Sequence, residues 1–455
     1  MKLLLLLFFI IGGCVSVDDT DLTHQTMKIL RPYDEREMII YEWWEGFKNE
    51  DLNILIDKVR EYNREIKSST VAYEIALLNI SENELSYGVS SNIDINSSVS
   101  KELDKNSKFM ESNSFSISSS YAFDLYGKFK NRIKVSEYDA EIIGQNSRTL
   151  EIMSISKSVS LYFDLLSINH SIELYLEEQK FLIARMKIIE VSIQHGVVLP
   201  LEEKKVTNMI AAIDSKLFTL KMQKSKTISD LTLLSGEKFV SSSVVKKKSM
   251  ELINWPSLIR PVGYKFIASR PDIIQAELKV YQQFYLSEIE NINYYPDLNV
   301  NLASSSGRNY FSDILMNPVG ILSASLSFPF LNWNKLEVRR VIQDKKLYSS
   351  IVEFEESMNV ALNEVNVSFL EVQNSIKKIK LFERELKLEF DRLELYKVQA
   401  DFGTITKLQL MEAKQTLLHK RIAQLDVLSD YRSSIISFCN ATATHGCSPN
   451  VSILM

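Results

Sequence analysis

Residues 297–302 read Asp297-Leu298-Asn299-Val300-Asn301-Leu302, and residues 322–328 read Leu322-Ser323-Ala324-Ser325-Leu326-Ser327-Phe328. Strict apolar/polar alternation marks a strand with one apolar and one polar face. The pattern occurs twice more. Leu85, Tyr87, Val89, Ile93, Ile95 and Val99 are interleaved with residues that include Ser86, Ser90, Asn92, Asp94, Asn96 and Ser98. Phe115, Ile117, Tyr121 and Phe123 alternate with Ser116, Ser118, Ser120 and Ala122. These runs predict strands at about 85–100, 114–125, 296–306 and 320–331, with Phe330 closing the last. Each is about the 9–11 residues a tilted strand needs to cross a bilayer. The polar face is small and hydrophilic throughout, which suits a water-filled lumen with lipid outside. A soluble sandwich also alternates, so alternation alone leaves both open. Four strands cannot close a barrel, which takes about eight, so the open edges must pair with other chains.

After each strand pair lies a long stretch almost without breakers. Residues 130–193 hold no Pro and one Gly, Gly144, and residues 336–400 hold neither. Each predicts a helix of roughly 95 Å at 1.5 Å per residue. Ile155, Val159, Tyr162 and Leu166 recur at helical spacing, as do Leu386, Phe390 and Leu393, and Leu418, Ile422 and Leu425. Such stripes predict helices packed side by side in coiled-coil fashion. Shorter helices are expected at about 200–235 and 405–438.

The chain reads as two copies of one plan. Asn63-Arg64-Glu65-Ile66 corresponds to Arg270-Pro271-Asp272-Ile273, Ile93 and Ile95 to Val300 and Leu302, Lys128-Phe129 to Lys335-Leu336, Gly196 to Gly403, and Leu201 to Leu408. A shared offset of 207 residues makes duplication the better explanation of these individually weak matches. The expected organisation is a signal segment at 1–13, an N-terminal segment at 14–62, repeats at 63–257 and 258–440, and a tail at 441–455.

The composition narrows the function. The chain has 455 residues, of which 45% are apolar and 24% charged, so it folds. A formal net charge of −5 argues against a nucleic-acid partner. Lys246-Lys247-Lys248 is the one sharp basic run, and a solvated loop accounts for it. The five histidines, His24, His170, His195, His419 and His445, fall in no Ser/His/Asp or zinc-hydrolase motif, and there is no Walker loop. No enzyme activity, cofactor or metal is expected. Cys439 and Cys447 allow a disulfide in an exported protein, and His445 between them makes a weak case for a metal.

Met1-Lys2, the apolar run Leu3 to Ile11 and Gly12-Gly13-Cys14 read as a secretory signal. Ile11-Gly12-Gly13-Cys14 resembles the lipobox of bacterial lipoproteins, which makes Cys14 the candidate lipidated residue. By resemblance to lipoprotein sorting, Val15 after it favours the outer membrane.

Several segments then resemble the TolC-like outer-membrane efflux proteins, particularly their lipoprotein branch. Ser269-Arg270-Pro271-Asp272-Ile273 with Ala276-Glu277 is similar to that branch's RPDI segment. Tyr294-Tyr295-Pro296-Asp297-Leu298 resembles the opening of its third strand, and Phe123-Asp124-Leu125-Tyr126-Gly127-Lys128 its strand-to-helix junction. Phe402-Gly403-Thr404-Ile405-Thr406-Lys407-Leu408 resembles its helical turn, with Gln194-His195-Gly196 as the first-half partner. Phe330-Leu331-Asn332-Trp333-Asn334-Lys335 departs from the family's Gly pair, and Leu199-Pro200 from its small polar residue.

The resemblance implies a mixed α and β membrane protein: a homotrimer with a 12-stranded outer-membrane β-barrel continued by a 12-helix periplasmic α-barrel. It implies a passive conduit joined to a periplasmic adaptor and an inner-membrane pump, and anchored in outer-membrane lipid. Gly196, Val197, Gly403, Thr404 and Thr406 become the expected adaptor-contact tips. Asp401, with Glu412 as a weaker candidate, is the expected aperture gate. Type I protein secretion, and a lipid-anchored periplasmic coiled-coil scaffold, are the alternatives. Tyr87, Tyr121, Tyr294 and Tyr295 read either as an interfacial aromatic girdle or as simple strand-end packing.

Overall fold

The computed structural model describes residues 42–101, 103, 108–236, 257–258, 265–311, 314–442 and 447–448. Cys14, the Lys246–Lys248 run and His445 lie outside them. After a turn of 3-10 helix at Trp43–Phe47, α1 spans Glu50–Tyr62 and α2 Arg64–Ser86. Strands β1 (Ser90–Ser100) and β2 (Met110–Phe123) follow, then α3 (Lys128–Gln194) and α4 (Pro200–Leu234). The second half repeats the order with α5 (Pro271–Ile292), β3 (Asp297–Arg308), β4 (Val319–Ser327), α6 (Trp333–Asp401) and α7 (Lys407–Ala441). The starts of α2 and α5, of β1 and β3, and of α4 and α7 stand 207 residues apart.

Local chemistry sets these boundaries. Asn63 ends α1 and begins α2. Its side-chain oxygen accepts from the Glu65 and Ile66 amides, and its Nδ2 donates to the Leu234 carbonyl at 3.1 Å. The Asp124 carboxylate accepts from the Phe129 and Lys130 amides at 3.1 and 3.0 Å, satisfying orphan donors in the first turn of α3. Proline opens α4 and α5, where its missing N–H costs nothing. The Arg270 guanidinium grips Asp272 and Glu364 at 2.6 and 2.7 Å, so the Arg-Pro-Asp motif ties the start of α5 to α6.

Three elements differ from expectation. Leu85, Tyr87 and Val89 are not in a strand: α2 runs to Ser86, Tyr87 caps it in right-handed geometry, and β1 begins at Ser90. Only Leu85 of this run is helical; Tyr87 is the cap and Val89 lies in the link, so three apolar residues spaced by two across a helix end imitate a strand without being one. Phe328 and Phe330 also fall outside the ladder. Pro329 has no amide to donate, and the chain turns into a 3-10 helix at Pro329–Asn332. At β2 the ladder extends further back, to Met110, which pairs with Ser100.

The sheet order is β1-β2-β3-β4, antiparallel throughout, so among the described strands β1 and β4 are its edges. The long helix α3 packs against α1, α2, α4, α5 and α7, and α6 packs against α5 and α7. The largest core gathers Trp43, Phe47, Leu52, Leu55 and Ile56 around Val159, Tyr162 and Phe163 of α3 and Ile435 and Phe438 of α7. A second core joins Leu182 and Ile189 of α3 to Val206, Ile213 and Leu217 of α4. No described helix is long and apolar enough to cross a membrane.

Candidate functional site

Strand register decides what the sheet can do. Ile93 faces Ile117, Ile95 faces Phe115, Phe123 faces Leu298, Tyr121 faces Val300, and Leu298 and Leu302 face Leu326 and Leu322. Directly paired residues share a face, so the apolar sets of all four strands lie on one side. Asn92–Ser118, Ser120–Asn301, Asn301–Ser323 and Asn299–Ser325 occupy the other. Among the described residues nothing covers the apolar face: Ile93 is 67% exposed and Leu322 74%. Polar residues interrupt it at Ser91, Ser97, Glu111, Asn113, Ser119, Ser304 and Ser306; Ser91 bonds Ser119 at 2.8 Å, Ser97 donates to Asn113 at 2.6 Å and Ser306 to the Met316 carbonyl at 2.7 Å. Internal pairing is what polar groups facing hydrocarbon require.

Aromatic rings cluster where the strands meet the helices. Tyr87 stacks on Phe129 at 4.5 Å, and Tyr126 on Tyr295 at 4.7 Å. Tyr121 meets Phe123 edge-on, and the Tyr294 hydroxyl donates to Glu337 at 2.8 Å. Phe328, Phe330, Leu331 and Trp333 stand exposed at the β4–α6 junction.

At the opposite end, α3–α4 and α6–α7 reverse direction in the same way. Gly196 and Gly403 adopt φ of 69° and 71°, the left-handed region that glycine enters without a steric cost. The Val197 amide donates to the Ser192 carbonyl and the Thr404 amide to the Gln399 carbonyl, each at 2.9 Å. These 6→1 bonds are Schellman closures of the two long helices. The returning helices start differently. Pro200 begins α4, whereas Thr406 and Gln409 form a capping box on α7, with Thr406 Oγ1 accepting from the Gln409 amide at 3.2 Å. Val197, Leu199, Leu201 and Phe402 are exposed apolar side chains on these turns.

Asp401 is the last residue of α6 and is exposed, with Gly403 two residues on. Glu412 is engaged within its own chain, accepting from Arg185 Nη2 at 2.7 Å. The expected tip residues therefore cluster on the two turns, whereas Glu412 sits higher, in the seam between α3 and α7. That seam contains a polar inlay that motif reading missed. Glu178 is buried and contacts His419, Gln415 Nε2 reaches Glu178 at 3.4 Å, and Arg185 Nη1 donates to Gln415 at 3.0 Å. The legible signal was spacing: 178 and 185, and 412, 415 and 419, are helical-face positions inside otherwise apolar stripes. Arg432, fully buried, similarly donates to Asp164 at 2.7 Å. Cys439 is buried and disulfide-bonded.

With this geometry in view, the comparisons with known proteins agree. A family model described as outer membrane efflux protein matches residues 262–443. The toxin and drug export protein A of Aggregatibacter actinomycetemcomitans is 20% identical over 375 residues, 80% of each chain. The pyoverdine export outer membrane protein OpmQ of Pseudomonas aeruginosa is 23% identical over 325 residues, 68% of this chain and 65% of its own. Among solved structures, the CmeC outer membrane channel of Campylobacter jejuni superposes with a TM-score of 0.78 at 17% identity, covering 93% of both chains. The open-state MtrE outer membrane channel of Neisseria gonorrhoeae gives 0.76 at 14% identity, covering 88% and 91%. The resemblance to outer-membrane efflux proteins read from the sequence is borne out, and the fold is that of these channels.

Proposed function

We propose that this chain, which resembles the outer membrane efflux proteins in sequence and shares the fold of their channels, is the outer-membrane conduit of a tripartite efflux system. In this reading three copies join their four-stranded sheets into one 12-stranded barrel, and their long helices into a periplasmic tunnel of twelve. The conduit is passive: an inner-membrane pump supplies energy through a periplasmic adaptor that meets the tips. The observation that carries the reading is the open sheet. Among the described strands it has one mainly apolar face, one face rich in Ser and Asn, and ladder edges at β1 and β4. In hydrocarbon, a sheet is viable only when closed. Closure by like copies satisfies the edges, turns the apolar face to lipid and encloses the Ser/Asn face around water.

The helices support the same assembly. Val341, Val352, Leu370, Leu388, Leu395 and Val398 leave a long apolar stripe exposed on α6. On the other flank Val71, Ile75 and Leu78 of α2, and Phe218 and Met222 of α4, are exposed. A head-to-tail contact between these flanks closes a ring. Lipidation at Cys14 adds a second anchor. The tips at Gly196, Val197, Gly403, Thr404 and Thr406 are the adaptor contacts in this proposal, and Asp401 is the gate carboxylate. Glu412 is the weaker gate candidate because Arg185 neutralises it.

Native mass spectrometry of detergent-purified protein should give three subunits, and the same preparation should conduct ions in planar bilayers. A stable, non-conducting monomer overturns the proposal. A relative named for toxin and drug export favours a second reading, the outer component of a protein-secreting machine. Deleting the chain and assaying the medium for a missing protein, against sensitivity to small toxic solutes, separates the two.

A further inference from the structure

We propose that Glu178 and His419 form a proton-set latch between the two helical hairpins, holding the α3–α7 seam more tightly when the imidazole is charged. The inference rests on the channel reading for its purpose but not for its geometry. Glu178 lies 18 residues before Gly196, and His419 lies 16 after Gly403. At 1.5 Å per residue both sit about 25 Å above the turns. The latch therefore acts well inside the wall rather than at the tip.

The geometry is unequal in a useful way. The Glu178 side chain is 4% exposed, whereas that of His419 is 57% exposed and open to protons from solvent. His419 Nε2 contacts Glu178 Oε1. One turn before it on α7, Gln415 Nε2 reaches the same oxygen at 3.4 Å while also touching the Met209 sulfur of α4. Gln415 in turn accepts from Arg185, which also holds Glu412. The ladder thus links α3 to α7 over about two helical turns.

Charged and titratable groups from the packed elements surround the pair. On α3, Glu177 lies 4.0 Å from Arg421 of α7, and the Tyr175 hydroxyl pKa is pushed up by burial first and then by the nearby Glu178 and Asp426. On α4, Asp214 is held by Gln179. On α6, Glu385 takes Lys420. The contact with Glu178 raises the His419 pKa above its ordinary value, against the opposing effect of burial. A raised histidine pKa means the stabilisation is complete below the ordinary value and is lost as pH climbs through the raised one. Above that, a neutral ring supplies at most one hydrogen bond. The buried Glu178 side chain then keeps that bond and the long contact to Gln415 but loses the opposite charge beside it, a less favourable arrangement for a buried carboxylate.

Hydrogen exchange on the full-length protein in detergent tests this at about pH 5.5 and about pH 8.5, either side of the histidine range. After correction for intrinsic rates, peptides spanning 174–189 and 410–423 should exchange roughly fivefold faster at the higher pH. His419→Gln should exchange fast at both values, and His419→Lys slowly at both. Glu178→Gln should remove the pH dependence. The Glu178→Gln/His419→Gln double variant, which removes charge and partner together, keeps the test readable should a single variant misfold. Equal seam exchange at both values in the wild type, or wild-type pH dependence retained in His419→Gln, overturns the latch. Neither outcome touches the trimeric channel, which is judged by subunit count and conductance.

Discussion

Arg270 donates through Nη1 to the Ala441 carbonyl at 2.8 Å, so the N-cap of α5 is bonded to the last turn of α7. The same guanidinium binds Asp272 and Glu364, and its side chain is 10% exposed. Arg270→Met should therefore lower stability by about 2–3 kcal/mol, since a nearly buried carbonyl loses a charged donor. Arg270→Lys should recover part of this but not the fork. Thermal unfolding in detergent measures both, and an unchanged Tm for Arg270→Met would remove the residue from the seam.

The two sheet faces should respond oppositely to charge. Ile95→Lys places an ammonium on the apolar face and should cost roughly 2–4 kcal/mol if that face meets mid-bilayer lipid. Asn96→Lys, one residue on, should fold normally and shift ion selectivity. Folding into liposomes followed by heat-modifiable gel migration reads the first effect, and reversal potentials read the second. Equal tolerance at both positions would count against a lipid-facing side.

Replacing Gly403 with Val puts a β-branched residue at a φ of 71°. The strain should be at least about 1–2 kcal/mol, local to the turn. An added Cβ at Gly403 meets nothing within 4 Å, so crowding adds none. Subunit assembly should survive while adaptor co-purification and solute export fall. Gly403→Asn, which tolerates this geometry, should retain more function. Full export by the Val variant would detach this turn from the adaptor.

Asp401 ends α6, where the helix dipole disfavours an anion. Three copies on one ring would repel and attract cations. Asp401→Ala should reduce cation preference and weaken divalent block in planar bilayers. Unaltered selectivity and block would assign the carboxylate to ordinary solvent exposure.

Acylation of Cys14 is tested by mass spectrometry of the mature N-terminus, which should carry a diacylglyceryl cysteine. Cys14→Ala should lose that anchor yet keep the conducting barrel, because two anchoring modes reduce to one. A mature chain beginning at another residue would exclude the modification.

Much of this molecule was written locally. Alternation at 297–302 and 322–327 and glycine at 196 and 403 are short-range signals, because strand period and turn geometry need no knowledge of distant residues, and the 207-residue offset is legible by comparing the two halves of the sequence without any structure. The limits of elements were less legible where a short apolar run straddles a helix end, as at Leu85–Val89, or where one proline ends a ladder, as at Pro329. The tertiary structure alone decided register, and register is what gathers Ile95, Phe115, Leu302 and Leu322 on a single face. It alone brought Glu178 to His419, 241 residues apart, and Arg185 to Glu412, 227 apart. Such pairs follow from how α3 and α7 settle against each other, a choice made by the packing of whole apolar faces and invisible in either helix by itself.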